Sequence, residues 1–338
     1  MTFDWANLPF SYKKTRMNVR CTYQNGSWGK LELHESEYIP MHIAATCLHY
    51  GQECFEGLKA YTGKDGKIRV FRWEENLKRI NRSADYIVMP QIDKQLFWDS
   101  LVQLIKNNKE YIPPYGYGAT FYIRPLLIGM SPHVGLNCST EYLYVVFGTP
   151  VGSYFKDGFK PTNVIIHRAS DRAAPKGTGH IKVGGNYAAG LKVTKEVKAQ
   201  GYSSAMYLDP REKKYIDECG PANFFGIKDN CYVTPKSDSI LPSITNMSLM
   251  ELAAFLGMKV ETRQIELNEL ESFQEAGQCG TAAVISPIGH IYDPDFDKTY
   301  VFSKDGKVGE ISQKLYDTLT AIQFGEIEDT FGWTTIIE

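Results

Sequence analysis

The fold is decided by one stretch, Gly177-Thr178-Gly179-His180-Ile181-Lys182-Val183-Gly184-Gly185-Asn186-Tyr187, in which glycines enclose a single lysine. Glycine lets the backbone approach a flat ligand closely. A lysine held there and partly removed from water can act as a nucleophile that forms a Schiff base. The same residues are compatible with a surface turn that carries a solvated lysine. No strand leads a GxGxxG pattern into a helix, so the glycines are weak evidence for a dinucleotide-binding fold.

The composition is that of an ordinary globular protein. A chain of 338 residues is longer than one hydrophobic core comfortably serves, so we expect two domains. The net charge of -2, with both signs interspersed, offers no positive field to nucleic acid. The seven cysteines include no CxxC pair, which predicts free thiols in a reducing compartment. Without a signal peptide or an apolar run of about 20 residues, the chain is expected to be cytoplasmic, with no membrane partner. No residue is assigned to a metal.

Strand and helix signals alternate in both halves of the chain, which indicates the α+β class. A helix is predicted to end at Pro90, the next to begin after a capping Asp93, and a third to end at Gly257. A polar, glycine-bearing stretch at 153–161 predicts a linker between a first domain, 1–152, and a second, 162–338. The predicted strands are Leu58–Tyr61 and Ile68–Phe71 as a hairpin, Ala119–Ile128, Tyr142–Phe147, Asn163–His167, Ser204–Leu208, Phe224–Ile227 and Ala282–Ile285.

A set of seven landmarks in order resembles the branched-chain amino-acid aminotransferases, which are fold type IV (D-amino-acid-aminotransferase-like) enzymes dependent on pyridoxal 5'-phosphate. Seven landmarks in one order are far more specific than any single motif. The resemblance implies a smaller N-terminal α/β domain and a larger C-terminal domain with a barrel-like sheet. The landmarks are Phe55-Glu56-Gly57-Leu58-Lys59-Ala60, Phe71-Arg72 with Arg79, Tyr122-Ile123-Arg124-Pro125, Lys182 to Tyr187, Glu218 with Asn223, Leu241 to Thr245, and Gly280-Thr281-Ala282.

The resemblance assigns the cofactor's ring to three residues. Lys182 would form the Schiff base and then shuttle a proton. Glu218 would keep the pyridine nitrogen protonated, and Tyr187 would hydrogen-bond the phenolic oxygen. From the residues alone, Glu218 is equally compatible with an exposed carboxylate, and Tyr187 with a core or surface tyrosine.

The cofactor phosphate needs charge and hydrogen-bond donors. The family's phosphate arginine corresponds to Arg79, whose planar guanidinium offers paired donors, although an arginine on a helix usually lies on a solvated face. Ile244 and Thr245 begin a predicted helix, where unpaired N–H groups favour an anion. Thr281 belongs to a second turn that the family uses for phosphate. Both segments are also compatible with plain turns.

The resemblance places the substrate among aromatic side chains. Such a lining suits aliphatic groups, although aromatic residues at these spacings are also typical of a core. Arg124 matches an arginine that receives the distal carboxylate of glutamate or 2-oxoglutarate, and a structural ion pair is the alternative. Ala282 would lie near the substrate carboxylate. The matching aromatic positions are Phe10, Tyr50, Phe55 and Tyr122.

The sequence departs from some family members at three places. Ala283 and Ser286 stand where those members carry a cysteine pair, which leaves Cys279 as a lone thiol near the predicted site. Lys176 and Pro221 replace residues that are common in relatives, in segments near the same site.

These observations predict a transaminase that moves the amino group of L-leucine, L-isoleucine or L-valine to 2-oxoglutarate, in a site expected between the domains. The resemblance further implies a homodimer in which each subunit's small domain borders the other's site. Relatives acting on D-amino acids or aminodeoxychorismate share the lysine and the glutamate, but Arg124 and the aromatic pocket argue against them. A cofactor carrier without turnover and a cofactor-free Schiff-base lyase are also compatible with a reactive lysine.

Overall fold

The computed structural model describes residues 3–154 and 158–338. Residues 155–157 of the predicted linker lie outside the described residues. The helices are α1 Thr46–Tyr50, α2 Trp73–Tyr86, α3 Lys94–Lys106, α4 Gly184–Ala188, α5 Leu191–Ala199, α6 Ile244–Phe255 and α7 Glu310–Gln323. The strands are β1 Asn18–Gln24, β2 Ser27–Trp28, β3 Glu32–His34, β4 Glu53–Phe55, β5 Leu58–Thr62, β6 Ile68–Phe71, β7 Thr120–Gly129, β8 Tyr142–Val151, β9 Thr162–His167, β10 Ser204–Leu208, β11 Ile216–Cys219, β12 Ala222–Lys228, β13 Cys231–Pro235, β14 Lys259–Arg263, β15 Glu275–Gly280, β16 Val284–Asp293, β17 Lys298–Val301 and β18 Thr334–Ile337.

The described chain divides into two compact units, and the division differs from the predicted boundary. The first unit contains residues up to 154 together with 181–184 and 321–338, and the second contains 158–180 and 185–320. The tail joins the first unit because β18 pairs with β6 and Ile337 is buried in that unit's core. With the tail included, the first unit is no shorter than the second. The prediction assigned the whole of 162–338 to one domain because strand pairing across such a separation leaves no local signal.

The first unit is built on an antiparallel sheet of nine strands. Its order is β18-β6-β5-β7-β8-β1-β2, with β3 paired to β1 and β4 paired to β7. The predicted hairpin of β5 and β6 is confirmed. Asp93 caps α3 as predicted, because its carboxylate accepts a hydrogen bond of 2.8 Å from the Leu96 N–H. The apolar sides of α2 and α3, including Ile80, Phe97 and Leu101, are buried in the core of this unit.

The second unit contains a closed ring of strands. Its sheet runs β11-β10-β9-β16-β15-β12-β13-β14, and β11 also pairs with β12, so six strands form a barrel. The predicted barrel-like sheet and the α+β class are thereby confirmed. The predicted strand Ala282–Ile285 was wrong at its start, because residues 281–283 form a turn and β16 begins at Val284. The φ angle of 64° at Val284 closes that turn.

None of the helices within residues 3–154 and 158–338 has the length and hydropathy of a membrane-spanning segment.

Candidate active site

Lys182 lies in a short segment whose backbone is fixed within the first unit. Its neighbours Ile181 and Val183 are buried in that unit's core. The Lys182 N–H donates to the Ser83 hydroxyl at 3.0 Å, and its carbonyl accepts from the Phe55 N–H at 3.1 Å. The half-buried amine lies 5.0 Å from the centre of the Phe55 ring. The backbone at Lys182 is therefore hydrogen-bonded through both its N–H and its carbonyl, which a solvated surface turn would not require.

Glu53 adds a second anchor to this segment. Its carboxylate accepts a hydrogen bond from the Gly184 N–H, two residues after Lys182. A Cβ at Gly184 would collide with the same carboxylate. A side chain at Gly184 would therefore displace this carboxylate from its present contact.

Arg79 lies on α2 and is held by a buried carboxylate. Its Nε and Nη2 donate to the two oxygens of Glu56 at 2.6 and 2.8 Å. Glu56 also accepts from the Asn76 amide at 2.7 Å and from the Gly57 N–H at 3.1 Å. Burial raises the pKa of Glu56, but the Arg79 charge and these hydrogen bonds outweigh burial and hold the pKa below its ordinary value. Glu56 was predicted only as part of a landmark, because its contact with Arg79 leaves no local signal in the sequence.

Four of the predicted substrate residues come together in the first unit. The Arg124 guanidinium lies over the Phe55 ring at 4.7 Å and over the Tyr122 ring at 5.3 Å. Its Nη2 donates to the Tyr122 hydroxyl at 3.0 Å, while its Nε is buried with no partner among the described residues. Phe10 packs edge-on against Tyr122 at 5.6 Å. A cation with spare hydrogen-bonding capacity therefore stands beside aromatic surfaces.

The structure does not place Tyr50 with these residues. Tyr50 ends α1, is 38% exposed, and donates its hydroxyl hydrogen bond to the Val134 carbonyl. The Tyr50 ring also lies beside the ring of His49.

In the second unit, Glu218 is a buried carboxylate on β11. It is 2% exposed and accepts hydrogen bonds from the Asn223 amide at 3.0 Å and the Leu241 N–H at 3.4 Å. Burial raises the pKa of Glu218 to about 7, although the nearby Arg172 charge opposes this shift. A carboxyl group with a pKa near neutrality can hold or accept a proton at working pH.

Arg172, which was not predicted from the sequence, lies beside Glu218. Its Nε lies 2.5 Å from a Glu218 oxygen, and its Nη2 donates to the carbonyls of Gly179 and Ser239. A Cβ at Gly179 would collide with the Ser239 carbonyl, which explains the glycine there. A lone arginine upstream of the glycine-rich stretch gives no local signal of this role.

The predicted phosphate segments also lie in the second unit. Ile244 and Thr245 are the buried first residues of α6, and the Ser243 side chain caps this helix by accepting from the Asn246 N–H at 3.2 Å. The first N–H groups of a helix have no intrahelical partners and attract anions. Thr281 and Ala282 form the turn between β15 and β16.

Tyr187 and Cys279, both discussed from the sequence, lie in described elements of the fold. Tyr187 lies in α4, next to Asn186, whose amide is hydrogen-bonded to Thr178. Cys279 is buried, and burial raises the pKa of its thiol, so it has no thiolate character at neutral pH.

The comparisons with known proteins decide the family. The sequence model described as amino-transferase class IV matches residues 53–291. A branched-chain-amino-acid aminotransferase of Haemophilus influenzae is 46% identical over 99% of both chains, and one of Helicobacter pylori is 47% identical over 98% of this chain and 96% of that protein. This chain belongs to the branched-chain-amino-acid aminotransferases of class IV. The family predicted from the sequence is thereby confirmed.

Solved structures agree with this family. The branched-chain amino acid aminotransferase of Escherichia coli matches 96% of this aminotransferase and 100% of that chain, with a TM-score of 0.78 and 26% identity. The branched-chain aminotransferase of Thermoproteus uzoniensis, solved with norvaline, covers 95% of this aminotransferase and 100% of its own chain, with a TM-score of 0.75 and 25% identity. A further branched-chain amino acid aminotransferase, solved with pyridoxamine 5'-phosphate, has a TM-score of 0.79 at 23% identity and supports the fold alone. The roles of the individual site residues stay predictions.

Proposed function

We propose that this aminotransferase transfers the amino group of L-leucine, L-isoleucine or L-valine to 2-oxoglutarate, yielding branched-chain 2-oxo acids and L-glutamate. The observation that carries the proposal is the group formed by Arg124, Phe55 and Tyr122. Aromatic surfaces accept an aliphatic side chain, and the unpartnered Arg124 Nε can donate to the distal carboxylate of glutamate. This pairing supports substrates of both kinds.

The donors that the chain supplies fit the chemistry of pyridoxal 5'-phosphate. The chain supplies an amine at Lys182, a buried acid at Glu218, and an arginine that Glu56 holds in place. It also supplies a capped helix N-terminus for a phosphate. The proposed cofactor-binding residues are Arg79, Lys182, Tyr187, Glu218, Ile244, Thr245 and Thr281, and the proposed substrate-binding residues are Phe10, Tyr50, Phe55, Tyr122, Arg124 and Ala282.

The residues of the chain would divide the work of proton transfer. When bound, pyridoxal phosphate supplies an electron sink for the bond that breaks at the substrate Cα. Lys182 would be the general base that takes the proton from the substrate Cα and delivers it to C4′ of the cofactor, and the second half-reaction would run this transfer in reverse. Glu218, a buried acid with a pKa of about 7, holds a proton at the pyridine nitrogen. Arg172 keeps the Glu218 carboxylate in place.

The test is the visible absorbance of the purified holoenzyme. We expect L-leucine to bleach the band of the bound cofactor and 2-oxoglutarate to restore it. Lys182→Ala should abolish both changes, since no other base is proposed at Cα. A band that L-leucine leaves unchanged would contradict the branched-chain assignment, and a colourless protein would contradict the cofactor.

We also propose that the enzyme is a homodimer whose subunits meet at one apolar surface of the first unit. Residues 43–50 and 131–136 lie together there, since Thr46 N–H donates to the Ser131 carbonyl at 3.2 Å and Tyr50 donates to Val134. The surface consists of Ile43, Leu48, Val134 and Leu136, which are 84%, 60%, 91% and 81% exposed. Clustered exposed apolar side chains of this kind mark protein interfaces. Because Tyr50 belongs to this surface, its predicted substrate role would be exerted in the partner subunit.

Leu48→Asp with Leu136→Asp should convert the dimer to monomers in analytical ultracentrifugation, because each carboxylate would have to be buried at the interface. The control is Leu191→Asp, an exposed leucine of the second unit. A wild-type monomer, or a dimer that survives the double substitution, would contradict this interface.

A cytoplasmic location is proposed because all seven cysteines are free and five of them are buried, as expected in a reducing compartment. Fractionation of cells that make the chain tests this, and recovery from an oxidising compartment would contradict it.

A further inference from the structure

Glu53 shares one face of the first sheet with the proposed substrate group. In the pairing of β4 with β7, Glu53 is opposite Ile128 and Phe55 is opposite Leu126. Alternate residues of a strand point to the same face, and so do directly opposed residues. Arg124, two residues before Leu126 on β7, therefore points to the same face as Glu53. The stacking of the Arg124 guanidinium on the Phe55 ring agrees with this placement.

The Arg124 charge acts on Glu53, although no close ion pair joins the two among the described residues. Burial raises the pKa of Glu53 above its ordinary value, while the Gly184 N–H and the Arg124 charge oppose that shift. The hydrogen bond that Arg124 makes in the described chain goes to the Tyr122 hydroxyl, and its Nε is unpartnered. Arg124 thus keeps donors for a ligand while Glu53 reduces the positive potential that this ligand meets.

The thiols of Cys47 and Cys54 also sense Glu53. Burial raises the pKa of both thiols, so both stay neutral at working pH. The Arg124 charge opposes the rise of the Glu53 pKa. Lys182 carries a further amine in the segment that donates to Glu53 through the Gly184 N–H.

We propose that Glu53 is a specificity-determining residue that balances acidic against aliphatic substrates by opposing the charge of Arg124. This inference rests on the proposed function, in which one group of residues receives both kinds of side chain. When Glu53 is ionised, Arg124 binds a distal carboxylate less tightly, and an aliphatic side chain covers a nearly neutral pair at lower desolvation cost. When Glu53 is neutral, Arg124 attracts a dicarboxylate with its full charge.

A purely structural role for Glu53 can be separated from this one by choice of substitution. Glu53→Gln removes the charge but keeps an oxygen that accepts from the Gly184 N–H. Glu53→Ala removes both the charge and the acceptor. The matched control is Glu32→Gln, which removes an exposed charge from β3 in the same unit. The carboxylate of Glu32 lies 3.2 Å from the ring nitrogen of His34.

The experiment measures kcat/KM of the holoenzyme for 2-oxoglutarate and for L-leucine, and the affinities for glutarate and 4-methylpentanoate by calorimetry. In Glu53→Gln, the ratio of kcat/KM for 2-oxoglutarate to that for L-leucine should rise on the order of tenfold, as expected for two charges at an intermediate effective dielectric. Glutarate should bind more tightly than to wild type, and 4-methylpentanoate should not. Glu32→Gln should leave the kcat/KM ratio and the relative affinities for the two acids unchanged.

The pH dependence gives an independent readout. In wild type, lowering the pH protonates Glu53 and should strengthen glutarate binding relative to 4-methylpentanoate, whereas Glu53→Gln should lack this trend. Equal losses of kcat/KM for both substrates in Glu53→Gln would show that Glu53 only fixes the backbone at Gly184. Wild-type kcat/KM for both substrates would show that the charge of Glu53 is irrelevant. Either result overturns the inference. A wild-type enzyme that neither turns over L-leucine nor binds either acid would instead overturn the proposed function, and the inference with it.

Discussion

Buried carboxylates contact two arginines of the candidate site. Glu56 holds Arg79 through two hydrogen bonds, and Glu218 lies 2.5 Å from the Nε of Arg172. A buried charge that loses its partner is strongly destabilising, because the remaining charge is left without water and without compensation. The Glu56–Arg79 pair therefore determines local stability as well as the proposed chemistry.

Glu56→Gln should destabilise the first unit by about 3–5 kcal/mol, as for other broken buried ion pairs. It should also weaken pyridoxal phosphate binding, because Arg79 loses its fixed orientation. Chemical denaturation and a cofactor titration measure the two effects. Glu75→Gln, which breaks only the surface pair of Glu75 with Lys78 on the same helix, should change neither. Equal behaviour of the two variants would contradict the role given to Glu56.

Glu218 should make the cofactor-free protein less stable as the pH rises. Its pKa is raised from 4.5 to about 7, so between these values the folded state holds the proton more tightly than the unfolded state. The stabilising effect is complete below pH 4.5 and is lost as the pH rises through the folded value, by at most about 3 kcal/mol. The free energy of unfolding of wild type relative to Glu218→Gln should thus fall from pH 4.5 to 7, and a rise would contradict the shift.

The sequence predicted Lys182 and Glu218 because each belongs to a landmark of neighbouring residues. It did not predict that Arg172 approaches Glu218, since the two are far apart in the chain and are joined by packing in the second unit. It placed Tyr50 with Phe55 and Tyr122, but no described contact joins Tyr50 to them. Contacts that depend on tertiary structure were therefore the ones that the sequence did not reveal.

Among the elements, α6 is the one whose N-terminus is proposed to bind phosphate. Its cap depends on the Ser243 side chain, as the cap of α3 depends on Asp93. These two helices allow the effect of a cap on stability to be separated from its effect on ligand binding.

Ser243→Ala and Asp93→Ala should each lower the free energy of unfolding by about 1 kcal/mol, the usual cost of losing an N-cap. Only Ser243→Ala should also weaken the binding of pyridoxal phosphate, because its helix faces the proposed phosphate. Thermal unfolding and a cofactor titration test this. Equal cofactor affinities in the two variants would argue against α6 as the phosphate helix.

At the scale of the whole molecule, the chain crosses between units more often than its sequence indicates. Hairpins such as β5 and β6 were predictable, because turn residues and alternating apolar residues are local signals. The pairing of β18 with β6 was not predictable, because β6 lies near the other end of the chain. The same holds for residues 181–184, which join the first unit although both flanking segments belong to the second.

The contribution of β18 can be tested with two neighbouring isoleucines. Ile337 is buried in the core of the first unit, whereas Ile336 is 41% exposed. Ile337→Ala should therefore cost about 2–4 kcal/mol of stability, and Ile336→Ala much less. Guanidinium unfolding of both variants measures the difference, and similar costs would show that β18 is not packed as described.

The position of β18 also governs the order in which the protein is completed during synthesis. Domains usually fold as they emerge from the ribosome, with the N-terminal one first. Here β6 keeps an open edge until Thr334–Ile337 have been translated. The chain of the second unit ends at residue 320, so it is translated before β18. The first unit, although most of it is translated before the second, is thus completed after it.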